Sequence, residues 1–301
     1  MRVRRFCLLP LLLLCFYLSC SAQSDHQNYS VLNGNWHLGG TGAKSIDFTF
    51  GVDGNTIYGE GYLGFSCKHG TRSAGFRGDV VIEGPIAADG SFVLSNPYTY
   101  IVPENVLTIH GRLPGPGSDQ WSGGFALSAF TAKTSPSPEE CEADSGDFTA
   151  TRLPDLRGVY TGSFGANQII YRQNPEIEGY VSLEITQGEL TATSLTGMAG
   201  HVFAANGKIT ITGSSKINSG AYTSIPVSGF EVNSKVYGGR NFRLQFLHQS
   251  NGTNFTVDGE TDKADENRLH IRISYVTREK DGKFQAVTTD GWLTRIVVEM
   301  R

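Results

Sequence analysis

The sequence predicts an all-β chain. It would form two tandem antiparallel β-barrel or β-sandwich domains, each an up-and-down meander, behind an N-terminal signal segment. Three observations predict this. Apolar and polar residues alternate over short runs, the period of a strand with one buried face. Asn-Gly and Asp-Gly pairs punctuate the runs and supply the positive φ angles of tight hairpins. Sequence blocks recur about 125 residues apart, too long a period for a solenoid and suited to tandem domains.

The N-terminus reads as an export address. Arg2, Arg4 and Arg5 precede an apolar run from Cys7 to Leu18, broken only by Pro10. That run is shorter than the ~20 residues a membrane helix needs and fits a signal-peptide core. Cys20-Ser21-Ala22 offers a small-x-small cleavage site, making residues 1–22 the signal peptide. Alternatively, Leu18-Ser19-Cys20 resembles the lipobox of bacterial lipoproteins, with Cys20 the lipidated residue, although Tyr17 stands where that motif prefers Leu. Either exit places the chain in the periplasm, anchored at the outer membrane, or outside the cell. Membrane contact is expected only through a lipid at Cys20.

Loss of residues 1–22 removes three Arg and no acid, leaving 22 basic against 29 acidic side chains, a balance of −7. Nucleic acid is therefore not an expected partner, since phosphates call for a basic face. Cys67 and Cys141 remain in the body of the chain. In an oxidising envelope they are expected to pair as a disulfide, the alternative being two buried thiols. A closed loop of about 75 residues is worth ~4 kcal/mol in the chain-entropy model.

Four pairs of blocks carry the repeat. Leu32-Asn33-Gly34-Asn35-Trp36 corresponds to Leu156-Arg157-Gly158-Val159-Tyr160. Gly78 to Gly84 is set against Gly207 to Gly213, Leu107 to Gly111 against Phe255 to Gly259, and Gly146 to Ala150 against Gly282 to Ala286. Pro154 in Leu153-Pro154-Asp155 marks the boundary, so domain one is 31–153 and domain two 154–301. Thr134 to Ser145, rich in Pro, Ser and Glu, reads as a loose loop inside the first domain.

Within the domains, Ile46, Phe48 and Phe50 face one way, with Asp47 and Thr49 opposite. Val181, Leu183 and Ile185 form another such face, as do Ile271, Ile273 and Tyr275. Turns are expected at Asp53-Gly54-Asn55, Asp89-Gly90, Asn206-Gly207, Asn251-Gly252, Asp281-Gly282 and Asp290-Gly291. Roughly seven to nine strands per unit suffice to close a small barrel.

Gly34-Asn35-Trp36 resembles the Gly-x-Trp opening of lipocalin-like and avidin-like barrels, in which the Trp plugs one end; the second unit has Tyr160 in its place. The late Cys20, the two Leu-x-Gly-x-Trp/Tyr openings and the run from Cys141 to Ala150 together resemble exported lipoproteins of acidobacterial genomes, to which no activity is assigned. This resemblance implies an envelope protein and brings no functional residues.

No catalytic constellation emerges, and neither a cofactor nor a metal site is expected. Gly59-Glu60-Gly61-Tyr62-Leu63-Gly64 fits a dinucleotide-type spacing, but strand-like residues follow where a helix should begin. Gly42-Ala43-Lys44-Ser45 lacks a phosphate loop's second Gly, and Thr71 precedes Ser73 where a nucleophile elbow needs Gly. Cys67-Lys68-His69 would need distant partners to hold a metal. Glu139, Glu140, Glu142 and Asp144 read as a solvated acidic loop, and Asp258, Glu260, Asp262, Asp265 and Glu266 as a solvated hairpin loop. Trp36, Tyr98, Tyr100, Trp121 and Tyr160 are candidate ligand contacts, their alternative role being to pack within the sheets. The expected function is a non-enzymatic envelope module binding a small apolar ligand, a glycan or another protein. The alternatives are a structural spacer lipoprotein and, further off, a hydrolase whose carboxylates are assembled in space.

Overall fold

The computed structural model describes residues 29–40, 46–69, 72–97, 102–132, 139–165, 178–195, 198–213, 217, 219–225, 234–247, 254–278, 282 and 284–296. The leader, Cys20, Tyr98, Tyr100 and the Asn251-Gly252 turn lie outside them. The described residues form strands, turns and one 3-10 turn at Tyr29–Leu32, with no α-helix among them.

The first set of strands is β1 (Gly34–Gly40), β2 (Ile46–Asp53), β3 (Thr56–His69), β4 (Arg72–Pro85), β5 (Ser91–Ser95), β6 (Leu107–Arg112), β7 (Gln120–Leu127), β8 (Phe130–Ala132), β9 (Glu139–Cys141) and β10 (Asp144–Arg152). The order β2-β1-β10-β7-β6-β5-β4-β3 closes through β2–β3 into an eight-stranded antiparallel barrel. The strands β9 and β8 continue outward from β3. The second set is β11 (Gly158–Gly165), β12 (Gly179–Leu195), β13 (Met198–Thr212), β14 (Gly220–Thr223), β15 (Lys235–Tyr237), β16 (Asn241–Leu247), β17 (Asn254–Thr261), β18 (Arg268–Arg278) and β19 (Phe284–Arg295). The order β12-β11-β19-β18-β17-β16-β15-β13 closes through β12–β13, with β14 appended to β13. Both are up-and-down barrels, and closure leaves neither with a barrel edge to protect.

The alternating faces form the cores. Ile46, Phe48 and Phe50 are buried in barrel one, and Val181, Leu183, Ile185, Ile271 and Ile273 in barrel two. Each large apolar side chain removed from water contributes about 1.5–3 kcal/mol before entropy is counted. In barrel one the ring of Trp121 meets Trp36, Phe50, Phe92 and Phe148 edge-on, with centroids 5.1–6.2 Å apart. In barrel two Phe246 stacks on Phe255 at 4.9 Å.

Several expectations need correction. The stretch read as a loose loop contains β9 and the start of β10, because the Cys67–Cys141 disulfide ties β9 beside β3. Asn206-Gly207 and Asp290-Gly291 lie inside strands, not turns. A Cβ at 207 would meet Leu244 Cδ1 at 2.6 Å, and one at 291 the Ser163 carbonyl at 2.5 Å, so these glycines serve close approach. Asp53-Gly54-Asn55 and Asp89-Gly90 do turn the chain, with φ of 60° at Gly54 and 81° at Gly90.

The strand registers also correct the repeat. Trp36 lies opposite Phe48 and Tyr160 opposite Leu183; Phe48 in turn faces Gly61, and Leu183 faces Ile209. Thus β13 is the counterpart of β3, and Gly207 to Gly213 does not correspond to Gly78 to Gly84 of β4. Arg152 faces Trp36 and Arg295 faces Tyr160, so Gly146 to Ala150 corresponds to positions 289–293 of β19 and not to Gly282 to Ala286. The first and third blocks are in register. Glycine beside alternating apolar residues occurs on many strands of both barrels, so that pattern alone cannot fix register.

The polar side of β2 is not solvated, because barrel two covers it. Strand β13 packs on β2, β3 and β4, and the β15–β16 turn docks beside it. Asp47 is 2% exposed; His37 Nδ1 lies 2.6 Å and Arg240 Nε 3.5 Å from its Oδ1. The Gly239 amide donates to Thr49 Oγ1 at 3.1 Å, and that hydroxyl donates to Asn35 Oδ1 at 2.7 Å. Lys235 Nζ sits 3.4 Å from Glu60 Oε1. Gly238 and Gly239 have φ of 56° and 73°, and Cβ atoms there would come within 2.8 Å of Tyr62 Cδ2 and 2.9 Å of Asp47 Cβ. Both glycines are needed for the turn and for its contact with barrel one.

Candidate functional site

Beside this seam, on the outer face of barrel two, a groove of about 360 Å³ crosses β15 to β18. It forms because inward residues alternate with outward ones: Phe242, Leu244, Val257 and Ile271 fill the core, so Arg243, Asp258 and Arg272 project outward. Tyr237, Asn241, Glu260 and His270 complete its lining, and Gly259 beneath it makes room for the buried ring of Phe242, which a Cβ there would approach to 2.3 Å.

The charges lie in one row across the strands. Arg243 is in register with Asp258, Asp258 with Arg272, and Arg272 with Asp290. Arg243 Nε lies 2.5 Å from Asp258 Oδ1 and Arg272 Nε 2.9 Å from Asp290 Oδ1. The hydrogen bond that Arg243 donates to the Asp258 carboxylate is the main cause raising its pKa above the ordinary value, with the Tyr237 and Tyr62 phenols adding smaller contributions against desolvation. A second row runs Tyr237, Asn241, Glu260, His270, Trp292. The His270 ring lies 4.9 Å from Trp292, and the Arg268 guanidinium lies 4.6 Å from the centre of the Trp292 ring. Trp292 remains 38% exposed.

The like topology of the two barrels allows a comparison position by position. By register, the barrel-one counterparts of Arg243, Asp258, Arg272 and Asp290 are Val93, His110, Gly124 and Asp147. The counterpart of Trp292 is Thr149, which faces Gly39 as Trp292 faces Ser163. This part of barrel one forms a broad, shallow hollow of about 610 Å³ floored by Gly39, Gly40 and Gly123. The same fold thus stands without the charged row, so barrel closure does not require it.

The sequence-derived candidates are placed differently. Trp36 and Tyr160 are fully buried and Trp121 is 5% exposed, so all three pack inside the barrels and offer no outer stacking face. Asp258 and Glu260 belong to β17 and line the groove, correcting the expectation of a hairpin loop; Asp262, Asp265 and Glu266 do lie in the connection that follows. The sequence does not mark Arg243, His270, Arg272, Asp290 or Trp292 as site residues, because outward positions of adjacent strands become neighbours only once register is known. Among the described residues no three His, Cys, Asp or Glu side chains converge as a metal site.

No protein-family model matches the chain, and no curated protein matches it significantly. It is similar to a solved structure from Nostoc punctiforme, a protein of unknown function in the DUF3598 family. The identity is 12% over 89% of this chain and 97% of that one, with a TM-score of 0.26.

Proposed function

We propose that the protein is an exported, non-enzymatic binding module of the cell envelope, and that its ligand site is the outer groove of barrel two. The observation that carries this reading is the Arg243–Asp258–Arg272–Asp290 row of barrel two, of which barrel one keeps only the aspartate, Asp147, with Val93, His110 and Gly124 at the other three places. Ordering four charged side chains on a part-exposed surface costs entropy, and a barrel indifferent to ligand gains little from such pairs. The aromatic side chains around Trp121 occupy the interior of barrel one, which favours a surface site over an apolar ligand held within that barrel. The test is capture of envelope components by the purified protein. The Arg243→Ala/Arg272→Ala variant should lose the captured component, and His110→Ala should retain it. Equal capture by all three proteins would overturn the assignment.

Export itself rests on the leader and the two cleavage readings around Cys20 and Ala22. Labelling cells with a palmitate analogue separates them: label on the mature chain supports a lipid at Cys20, and its absence supports cleavage after Ala22.

The spacer reading has its own support. Asp47, Glu60, Lys235 and Arg240 are buried between the barrels, a contact suited to holding two domains in fixed relation. A spacer would tolerate loss of the groove charges in vivo and fail when the seam is disrupted.

A further inference from the structure

We infer that the groove takes a neutral, hydroxyl-rich oligosaccharide laid across the strands from Tyr237 to Trp292; this rests on the groove being the ligand site. Its two arginines are compensated in place, Arg243 by Asp258 and Arg272 by Asp290. An anion would have to compete with carboxylates already on the guanidinium groups, and a cation with the guanidinium groups already on the carboxylates. A sugar hydroxyl meets neither obstacle. It donates to a carboxylate oxygen and accepts from a second guanidinium N–H, since each Arg carries five donors and a carboxylate oxygen takes more than one bond.

The aromatic residues set the length. Trp292, one strand beyond the groove's lining, and Tyr237, whose ring the Lys235 ammonium approaches to 4.3 Å on one side, stand at opposite ends of one register row, four strand spacings apart, or about 19 Å around the sheet. That span suits a chain of several linked sugars and exceeds a single one. Tyr and Trp side chains give sugars an apolar face to lie against while the ring hydroxyls reach polar neighbours. A peptide fits less well. Extended peptides bind by adding to a sheet edge, whereas the backbones of β15 to β19 are already paired with one another across this face.

The test is an array of neutral α- and β-linked hexose and N-acetylhexosamine oligomers, with uronic-acid oligomers and mixed hexapeptides as further arms, followed by calorimetry on the purified protein. At least one neutral oligomer should bind. Trp292→Ala and Arg272→Ala should each weaken it by about tenfold or more, the loss of one good contact, and Thr149→Ala should leave it unchanged. Trp292→Leu, which keeps apolar bulk at this part-exposed position, should behave like the alanine variant. Preference for uronic-acid oligomers or peptides, still abolished by Arg272→Ala, would overturn the ligand class and leave the groove standing. Absence of any Arg272-dependent binding across all arms would overturn both.

Discussion

Arg152 lies with its guanidinium carbon 4.3 Å from the centre of the Trp36 ring, at the mouth of barrel one. It donates through Nη1 to the Asn33 carbonyl at 2.8 Å and through Nη2 to the Val31 carbonyl at 2.7 Å. Trp36 Nε1 donates to the Leu32 carbonyl at 2.8 Å. The second barrel repeats the device: Arg295 lies 5.6 Å from the centre of the Tyr160 ring and donates to the Arg157 carbonyl, while the Tyr160 hydroxyl donates to the Leu156 carbonyl at 3.2 Å. Each Leu-x-Gly-x-aromatic block therefore marks the point where an arginine of the last strand fastens the entry of the first. Gly34 leaves the room this requires, for a Cβ there would come within 2.4 Å of Arg152 Nη1.

Removing Arg152 strands two part-buried carbonyls and uncovers the indole. Arg152→Ala is expected to cost about 3 kcal/mol, from charge-assisted hydrogen bonds and the cation–π contact. Arg295→Ala should cost less, about 1–2 kcal/mol, because its ring contact is longer and its hydrogen bond is exposed. Urea denaturation of the two variants measures both values; a neutral Arg152→Ala would show that the contact does not hold the barrel end.

The seam makes a separate prediction. Asp47 and Arg240 are both buried, and Arg240 Nη1 has no hydrogen-bond partner among the described residues. Arg240→Ala leaves the Asp47 carboxylate buried with His37 as its remaining ion-pair partner among the described residues, a loss of about 3–5 kcal/mol by precedent for broken buried pairs. Replacing both members, as Asp47→Leu/Arg240→Met, removes both desolvation penalties and should recover most of that loss. A double-mutant cycle by chemical denaturation gives the coupling directly. Additive single and double effects would mean the pair is not coupled.

These residues show how far a sequence can be read. The strand faces at Ile46 to Phe50 and Ile271 to Tyr275 were legible, because alternation reports which face is inside. It does not report what covers the other face. Asp47 and Thr49 look like solvated residues until barrel two is docked on them through Gly238 and Gly239, a turn no sequence signal singled out. Trp292 was equally invisible as a site residue: its neighbours His270 and Arg268 are more than twenty positions away, and only the β18–β19 register brings them together. Local patterns gave the barrels; the groove and the seam depend on pairing between distant segments.

The disulfide gives a third prediction. Cys67 and Cys141 are separated by 74 positions and join β3 to β9. Cys67→Ala/Cys141→Ala should lower stability by about 4 kcal/mol if loop entropy in the unfolded chain dominates. The same variant should raise amide exchange in β8 and β9, whose described pairing to the barrel runs through β3 alone. Unchanged exchange in those strands would show that their ladder bonds suffice without the bridge.

Tyr275 supplies a prediction at alkaline pH. Burial pushes its phenol up to about 12 from an ordinary value of 10.0, and its hydroxyl has no hydrogen-bond partner among the described residues. Below pH 10 the phenol is protonated in both the folded and the unfolded chain and contributes no pH dependence. Between about pH 10 and 12 the unfolded chain releases this proton while the folded one retains it, so stability falls as pH rises through that window. Tyr275→Phe removes the ionisable group and the unsatisfied hydroxyl together. At pH 7 it should raise stability by about 1 kcal/mol, by relieving an uncompensated buried donor. Between pH 10 and 12 its stability should fall less steeply than that of the unsubstituted protein. Some slope will remain, because burial also raises the Tyr160 and Tyr222 phenols. Guanidinium denaturation at pH 7 and pH 11 measures both effects; loss of stability at pH 7 would mean that the hydroxyl finds a partner in solution.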